Sequence, residues 1–230
     1  MEVKVVRKVL AMNDQMAAEN RRLFAEKGLL VLNIMSSPGS GKTTTLQKTL
    51  ARLLPSTPTG VIVGDVCTTN DADRLAKTGA PVVQITTGDF GGTCHLAAHV
   101  VREAAAGIDL DAIDLLIIEN IGNLICPAAY DIGEDLRGVV LSVTEGEDKP
   151  LKYPVIFRAA NFVLLNKIDL LPHLTFDKKR VIANIRAVNP DIPILEISAV
   201  TEQGLDSWIS WIKARMQEKR EQLAASHTTA

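Results

Sequence analysis

An apolar run that empties into a glycine-rich turn and reopens as a leucine-spaced segment restricts this chain to few folds. The run covers residues 29–35, Leu-Leu-Val-Leu-Asn-Ile-Met. It is apolar on both strand faces, which suits the inside of a parallel sheet. Ser36-Ser37-Pro38-Gly39-Ser40-Gly41-Lys42-Thr43 follow, then residues 43–54 with Leu46, Leu50, Leu53 and Leu54 at helical spacing. Strand, tight turn and helix form a βα unit, the element from which helix-covered parallel sheets are built. The turn also has phosphate-loop chemistry. Gly39 and Gly41 let backbone N–H groups converge on phosphate oxygens, and the helix start adds partial positive charge. Lys42 is expected at the β- and γ-phosphates and the Thr43 hydroxyl on Mg²⁺, with Ser37, Ser40 and Thr44 completing the contact set. Ser36 stands where such loops usually begin with glycine.

The alternation continues downstream. Apolar runs at 60–66, 81–86, 115–119, 139–143, 162–165 and 194–197 read as strands, with helical stretches such as 95–106 and 178–188 between them. The predicted fold is an α/β P-loop NTPase with a mostly parallel sheet of about seven strands flanked by helices. Residues 1–28 read as a separate helical arm with little to bury. Residues 29–218 form the P-loop domain, and 219–230 a polar tail where a charged C-terminal helix frays.

A second motif selects the base. Asn166-Lys167-Ile168-Asp169 falls at the end of the 162–165 run, where open parallel sheets bind ligands. Guanine offers two adjacent donors, N1–H and the 2-amino group, and the Asp169 carboxylate accepts from both. Asn166 can bond N7, and the Lys167 stem can lie along the base. Adenine lacks the donor pair and would leave Asp169 unpaired. Ser198-Ala199, after another apolar run, can bring a backbone N–H to guanine O6. The two motifs together imply GTP and GDP as ligands, with hydrolysis.

Composition narrows the class. The chain has 230 residues and a formal net charge of −2, without a basic block of the kind that binds nucleic acid. No apolar run reaches transmembrane length, and the start lacks a signal core, so a cytoplasmic protein is expected without membrane partners. Cys67, Cys94 and Cys126 are an odd number of cysteines, which favours free thiols in a reducing compartment.

Two carboxylates stand where magnesium chemistry needs them. Glu119 ends the 115–118 run and can hold Mg²⁺ directly or through water. Asp65 ends the 61–63 run before a polar, switch-like segment, and Asp65 or Asp71 can orient the attacking water. Asp71 and Asp73 have a plainer alternative, capping of a helix over 72–78. Cys94-His95, read as the start of a helix after Gly88-Asp89-Phe90-Gly91-Gly92-Thr93, and Cys126 combine thiol and imidazole donors that suit Zn²⁺ or Ni²⁺. His99, one turn from His95, can assist. Cys94, His95 and Cys126 are three donors and leave a tetrahedral site short, so water, another side chain or a second subunit must complete it.

The phosphate loop, Gly64-Asp65-Val66 with Asn70-Asp71-Ala72-Asp73-Arg74, Cys94-His95-Leu96, 119–127 with its Asn-Leu-Ile-Cys-Pro block, and Asn166-Lys167-Ile168-Asp169 occur in this order. Together they resemble the nickel-incorporation GTPases of hydrogenase maturation, the HypB family. The resemblance implies a SIMIBI-type GTPase of slow intrinsic rate that dimerises with GTP. It also implies an interface metal site of Cys94, His95 and Cys126 holding nickel or zinc. The implied partners are a small nickel metallochaperone of the HypA type and a [NiFe]-hydrogenase large-subunit precursor. Residues 145–154 resemble a family segment that serves nucleotide and dimer. The chain departs from some members in having no Cys-rich or His-rich N-terminal stretch, which implies nickel transfer rather than storage. Ala97 also stands where Asp is common. The alternatives are a urease-type nickel GTPase, which would carry Cys-Pro-His, and a regulatory GTPase with a structural zinc.

Overall fold

The computed structural model describes residues 4–66, 68–88 and 94–228; Cys67 and the 89–93 lead-in to Cys94 lie outside these residues. Seven strands form one sheet: β1 (Leu30–Ser36), β2 (Thr59–Asp65), β3 (Val82–Thr86), β4 (Leu115–Gly122), β5 (Leu136–Ser142), β6 (Phe162–Asn166) and β7 (Ile194–Glu196). The spatial order is β3-β2-β4-β1-β5-β6-β7, and every pairing is parallel. Parallel strands need crossovers. These carry α2 (Lys42–Leu53), α3 (Asn70–Ala76), α4 (Ala98–Ala105), α5 (Lys149–Lys152), α6 (Pro154–Ala159) and α7 (Lys178–Val188), while α1 (Lys4–Glu26) and α8 (Leu205–Thr228) flank the series.

Alternation along the strands sorts the core into two layers. Leu32, Ile34, Val63, Ile117 and Leu164 face Leu46 and Leu50 of α2 and Trp208 and Ile212 of α8. On the other face, Val31, Ile62 and Ile118 pack with Phe24 of α1 and Val101 of α4. Met35, Val139 and Leu165 pack with Phe157 of α6 and Ile185 of α7. Asn33 shares a strand face with Val31 and Met35 and is buried, so its amide needs partners. It donates to Glu134 Oε1 at 3.0 Å and accepts from Asn120 Nδ2 at 3.1 Å.

Several elements differ from the sequence reading. The first helix has a buried stripe, Asn13, Ala17, Asn20 and Phe24, and is packed on the sheet face. The alternating polar residues within that stripe hid it. Strand β4 continues past Glu119 because Glu119 and Asn120 are themselves buried. Cys94-His95 does not begin a helix; α4 starts at Ala98. The C-terminal helix continues through the expected polar tail as far as Thr228. Its charged groups are anchored, Lys219 to Asp135 at 2.5 Å and Arg220 to Asp114 at 3.1 Å.

Candidate functional site

The carboxyl ends of β1, β2 and β4 open into a cavity of about 550 Å³ lined by residues 37–44, Asp65, Asp71, Arg74, Glu119, Gly122 and Lys167, among others. A side chain at position 41 would be strained. Gly41 has φ 95°, and a Cβ there would lie 2.5 Å from Asn166 Nδ2. That contact shows how the two motifs meet. Asn166 donates to the Ser40 carbonyl at 3.0 Å and accepts from Ala199 N at 3.2 Å, while Lys167 Nζ donates to the Gly39 carbonyl at 2.7 Å. Expected at guanine N7, the Asn166 side chain is thus engaged at both ends by backbone, joining the phosphate loop to the Ser198-Ala199 turn. Lys167 takes φ 63°, a left-handed conformation, just before the turn Ile168–His173. Asp169, in the first turn of that segment, has a buried Oδ1 without a hydrogen-bond partner. A buried acceptor without a donor fits a ligand that brings donors.

At the phosphate end, Thr43 Oγ1 donates to Glu119 Oε1 at 2.7 Å, and Lys42 Nζ lies 3.6 Å from the same oxygen. Glu119 is 2% exposed. Burial pushes its carboxyl up from the ordinary range, and Lys42 and Thr43 oppose the shift. Its Oε2 is buried without a partner. A buried carboxylate beside a Thr hydroxyl, with one oxygen unsatisfied, fits a hard divalent cation such as Mg²⁺.

The two acids proposed for the water are held differently. Asp65 accepts from Val66 N at 2.6 Å and from Thr68 Oγ1 at 2.6 Å, so its carboxylate closes its own turn. Asp71 makes an ion pair with Arg74 at 3.6 Å. The α3 helix begins at Asn70 with Thr69 as N-cap, so Asp71 and Asp73 lie inside its first turn and neither caps it. Sequence reasoning missed Arg74. It lines the cavity and reaches Thr44 Oγ1 at 3.0 Å and Gln47 at 3.4 Å. The available signal was its place in the polar 70–74 motif, one turn beyond Asp71.

The two thiols come together. The neighbouring Cys126 thiol first, and burial second, hold the Cys94 thiol above its ordinary range. Asn123 straps the two segments. Its Nδ2 donates to the Cys94 carbonyl at 3.3 Å, and its Oδ1 accepts from Ile125 N at 2.9 Å. His95 is stacked on Tyr130 with centroids 3.7 Å apart, and burial lowers its pKa. Among the described residues, no three His, Cys, Asp or Glu side chains converge on one point. The expected trio is therefore a thiol pair with His95 turned to Tyr130, and His99 is exposed on α4. Two adjacent thiols match borderline-soft cations such as nickel or zinc in donor chemistry, while one chain supplies only part of a coordination shell. Gly122, between Glu119 and Cys126, serves close packing; a Cβ there would meet Pro38 of the phosphate loop at 3.1–3.2 Å.

Residues 30–196 match the CobW/HypB/UreG nucleotide-binding domain. The chain is 52% identical to the hydrogenase maturation factor HypB of Escherichia coli K12 over 207 residues, 90% of this chain and 70% of that protein. The chain belongs to the HypB family of hydrogenase maturation factors. It is 38% identical to the probable HypB of Methanocaldococcus jannaschii, covering 93% of this chain and 96% of that one. The crystal structure of Helicobacter pylori HypB in complex with nickel superposes with a TM-score of 0.85 at 39% identity, covering 91% of this chain and 97% of that chain. The signal recognition particle receptor FtsY of Elizabethkingia anophelis shares the fold at 16% identity, with a TM-score of 0.51. HypB membership and the FtsY likeness place the sheet among SIMIBI P-loop GTPases, a family-level assignment that agrees with the nucleotide loop. No helix among the described residues is long and apolar enough to cross a membrane.

Proposed function

We propose that this protein binds and hydrolyses GTP and uses the cycle to deliver nickel to a [NiFe]-hydrogenase precursor. One strand carries the reading. β4 brings Glu119 under Lys42 and Thr43, and the segment after it brings Cys126 to Cys94.

In this reading Asp169 accepts from the guanine edge, and Asn166 and Lys167 hold the base turn against the phosphate loop. Lys42 transfers its charge from Glu119 to the β- and γ-phosphate oxygens. Thr43 and Glu119 would hold Mg²⁺, whose charge offsets that of the phosphates. Asp71 orients the water, since Asp65 is committed to its own turn. Arg74 adds positive charge at the cavity wall. With the intended acid tied to Arg74 in this state, intrinsic turnover is slow.

Cys94 and Cys126 bind nickel or zinc, with His95 joining by turning off Tyr130. A two-fold partner brings a second thiol pair and completes the shell, so GTP and metal both favour the homodimer. The nickel-bound relative supports nickel as cargo. A small metallochaperone of the HypA type and the hydrogenase large-subunit precursor would be its partners in the cytoplasm. Light scattering with nickel and a non-hydrolysable GTP analogue tests assembly: a dimer is expected, and a monomer carrying both contradicts it. Full nickel binding by the Cys94→Ala, Cys126→Ala double variant would contradict the metal assignment.

A further inference from the structure

The two segments that carry the thiols lie outside the sheet, and the first helix ties them together. Asn13 and Asn20 are buried on the face of α1 that meets the domain. Asn13 Nδ2 donates to the Asp131 carbonyl at 2.7 Å, and its Oδ1 accepts from Ala98 N at 2.9 Å. Asn20 Nδ2 donates to the Ala98 carbonyl at 2.8 Å and to the Ile132 carbonyl at 3.1 Å. Ala98 is the first residue of α4, shortly after Cys94-His95. Asp131 and Ile132 follow Cys126 and Tyr130 closely. The arm therefore occupies both backbone groups of Ala98 and bridges them to the far side of the Cys126 loop.

Local chemistry explains why these groups need the arm. The N-cap of α4 is Ala97, which has no polar side chain to satisfy the first N–H groups of the helix. Asn13 supplies that acceptor from another element. Close approach is secured at Gly133, where a Cβ would fall 2.5 Å from Asn20 Cβ and 2.8 Å from the Ala17 carbonyl. Arg21 adds a two-pronged contact to Asp131 at 2.8 Å from both oxygens.

We propose that Asn13 and Asn20 are positioning residues for the metal site: the arm is a clasp that sets the spacing of the Cys94-His95 and Cys126 segments. The inference rests on the assignment of Cys94 and Cys126 as the nickel ligands. Neither asparagine touches the metal or the nucleotide cavity. Their effect passes through the backbone of Ala98 on one side and of Asp131 and Ile132 on the other. Groups that orient metal ligands from behind commonly change affinity by 10–100-fold when removed.

The test uses the full chain with GDP bound, titrated with nickel chloride against a chromophoric chelator. Thiolate-to-nickel absorption in the near ultraviolet gives a second readout. Asn13→Ala and Asn20→Ala both favour helix in the arm, and thermal melts verify that each variant is folded. Lys27→Ala is the control, because Lys27 pairs with Asp111, away from both thiol segments. Expected are a roughly tenfold or greater loss of nickel affinity in each asparagine variant, an altered absorption band, unchanged GDP affinity, and wild-type behaviour in Lys27→Ala. Wild-type nickel affinity in both folded asparagine variants overturns the clasp. So does an equal loss in Lys27→Ala, which would signal general loosening of the arm. Should Asn20→Ala fail to fold, Asn13→Ala decides alone. Cys94→Ala separates the two claims: if it retains nickel, the ligand assignment has failed; if it loses nickel while the asparagine variants do not, only the clasp has.

Discussion

A carboxylate oxygen that is buried without a donor is unfavourable unless a ligand brings one, and in the proposed function the guanine edge takes that role at Asp169. In Asp169→Asn an amide presents a donor towards the guanine donors. The variant should lose at least about 3 kcal/mol of GTP affinity, roughly a hundredfold or more. It should gain affinity for xanthosine triphosphate, which has a carbonyl in place of the 2-amino group. Competition titration of both nucleotides reads the swap, and unchanged GTP affinity would remove Asp169 from the base site. The acidic residue and its spacing from Asn166 were legible in the sequence because base recognition needs a fixed donor–acceptor pattern. The backbone contacts of Asn166 were not. Its bonds to Ser40 and Ala199 depend on two distant loops meeting, and no local pattern encodes that meeting. Arg74 was obscured for the same reason: its partners Thr44 and Gln47 belong to another helix.

At the level of elements, α2 must hold the phosphate loop steady, and the turn before α8 anchors it. Glu202 receives Lys48 at 2.9 Å and Arg52 at 2.7 Å, and these two cations lower its carboxyl to about 2. A carboxyl depressed in the folded state stabilises the fold above its unfolded value, near 4.5, and that contribution fades as pH falls towards about 2. Glu202→Gln should therefore melt below the wild type at neutral pH, with the two curves converging as pH falls through that window. Because the pair is solvent-exposed the neutral-pH difference should be small. A gap independent of pH would mean that the charge of Glu202 does not do the anchoring. The elements themselves were legible where apolar periodicity was unbroken: all seven strands have counterparts in the sequence runs, and α7 coincides with residues 178–188. They were misread where tertiary contacts overrule local character. Asn13 and Asn20 make the arm look soluble, although both are buried against α4 and the 131–132 backbone. The exposed charges of α8 suggested fraying where Lys219 and Arg220 fasten it to the sheet.

Across the whole molecule, the nucleotide cavity and the thiol pair share supports rather than ligands. Gly122 lies against Pro38, so a shift of the phosphate loop bears directly on the end of β4 and on the loop to Cys126. A second route starts at Asn120, next to Glu119, and passes through Asn33 and Glu134 to Ile132 N at 2.9 Å. Ile132 is also where Asn20 of the arm attaches. Both routes end on the Cys126 side of the thiol pair. In the proposed cycle phosphate draws Lys42 off Glu119, so the buried carboxylate changes partners next to Asn120, where the second route begins. Coupling of this kind is reciprocal: if GTP alters nickel affinity, nickel alters GTP affinity by the same factor, of order 5–150-fold. Nickel titrated by calorimetry into the GDP form and into a form holding a non-hydrolysable GTP analogue should give two distinct affinities. Nucleotide titrated into the nickel-bound and nickel-free forms should show the same ratio. Glu119→Gln, which keeps the side-chain shape but not the charge, should bring the two nickel affinities together while leaving nickel binding itself in place. Equal affinities in the two nucleotide states of the wild type would break the link between the sites and leave a GTPase and a metal site that merely share a chain.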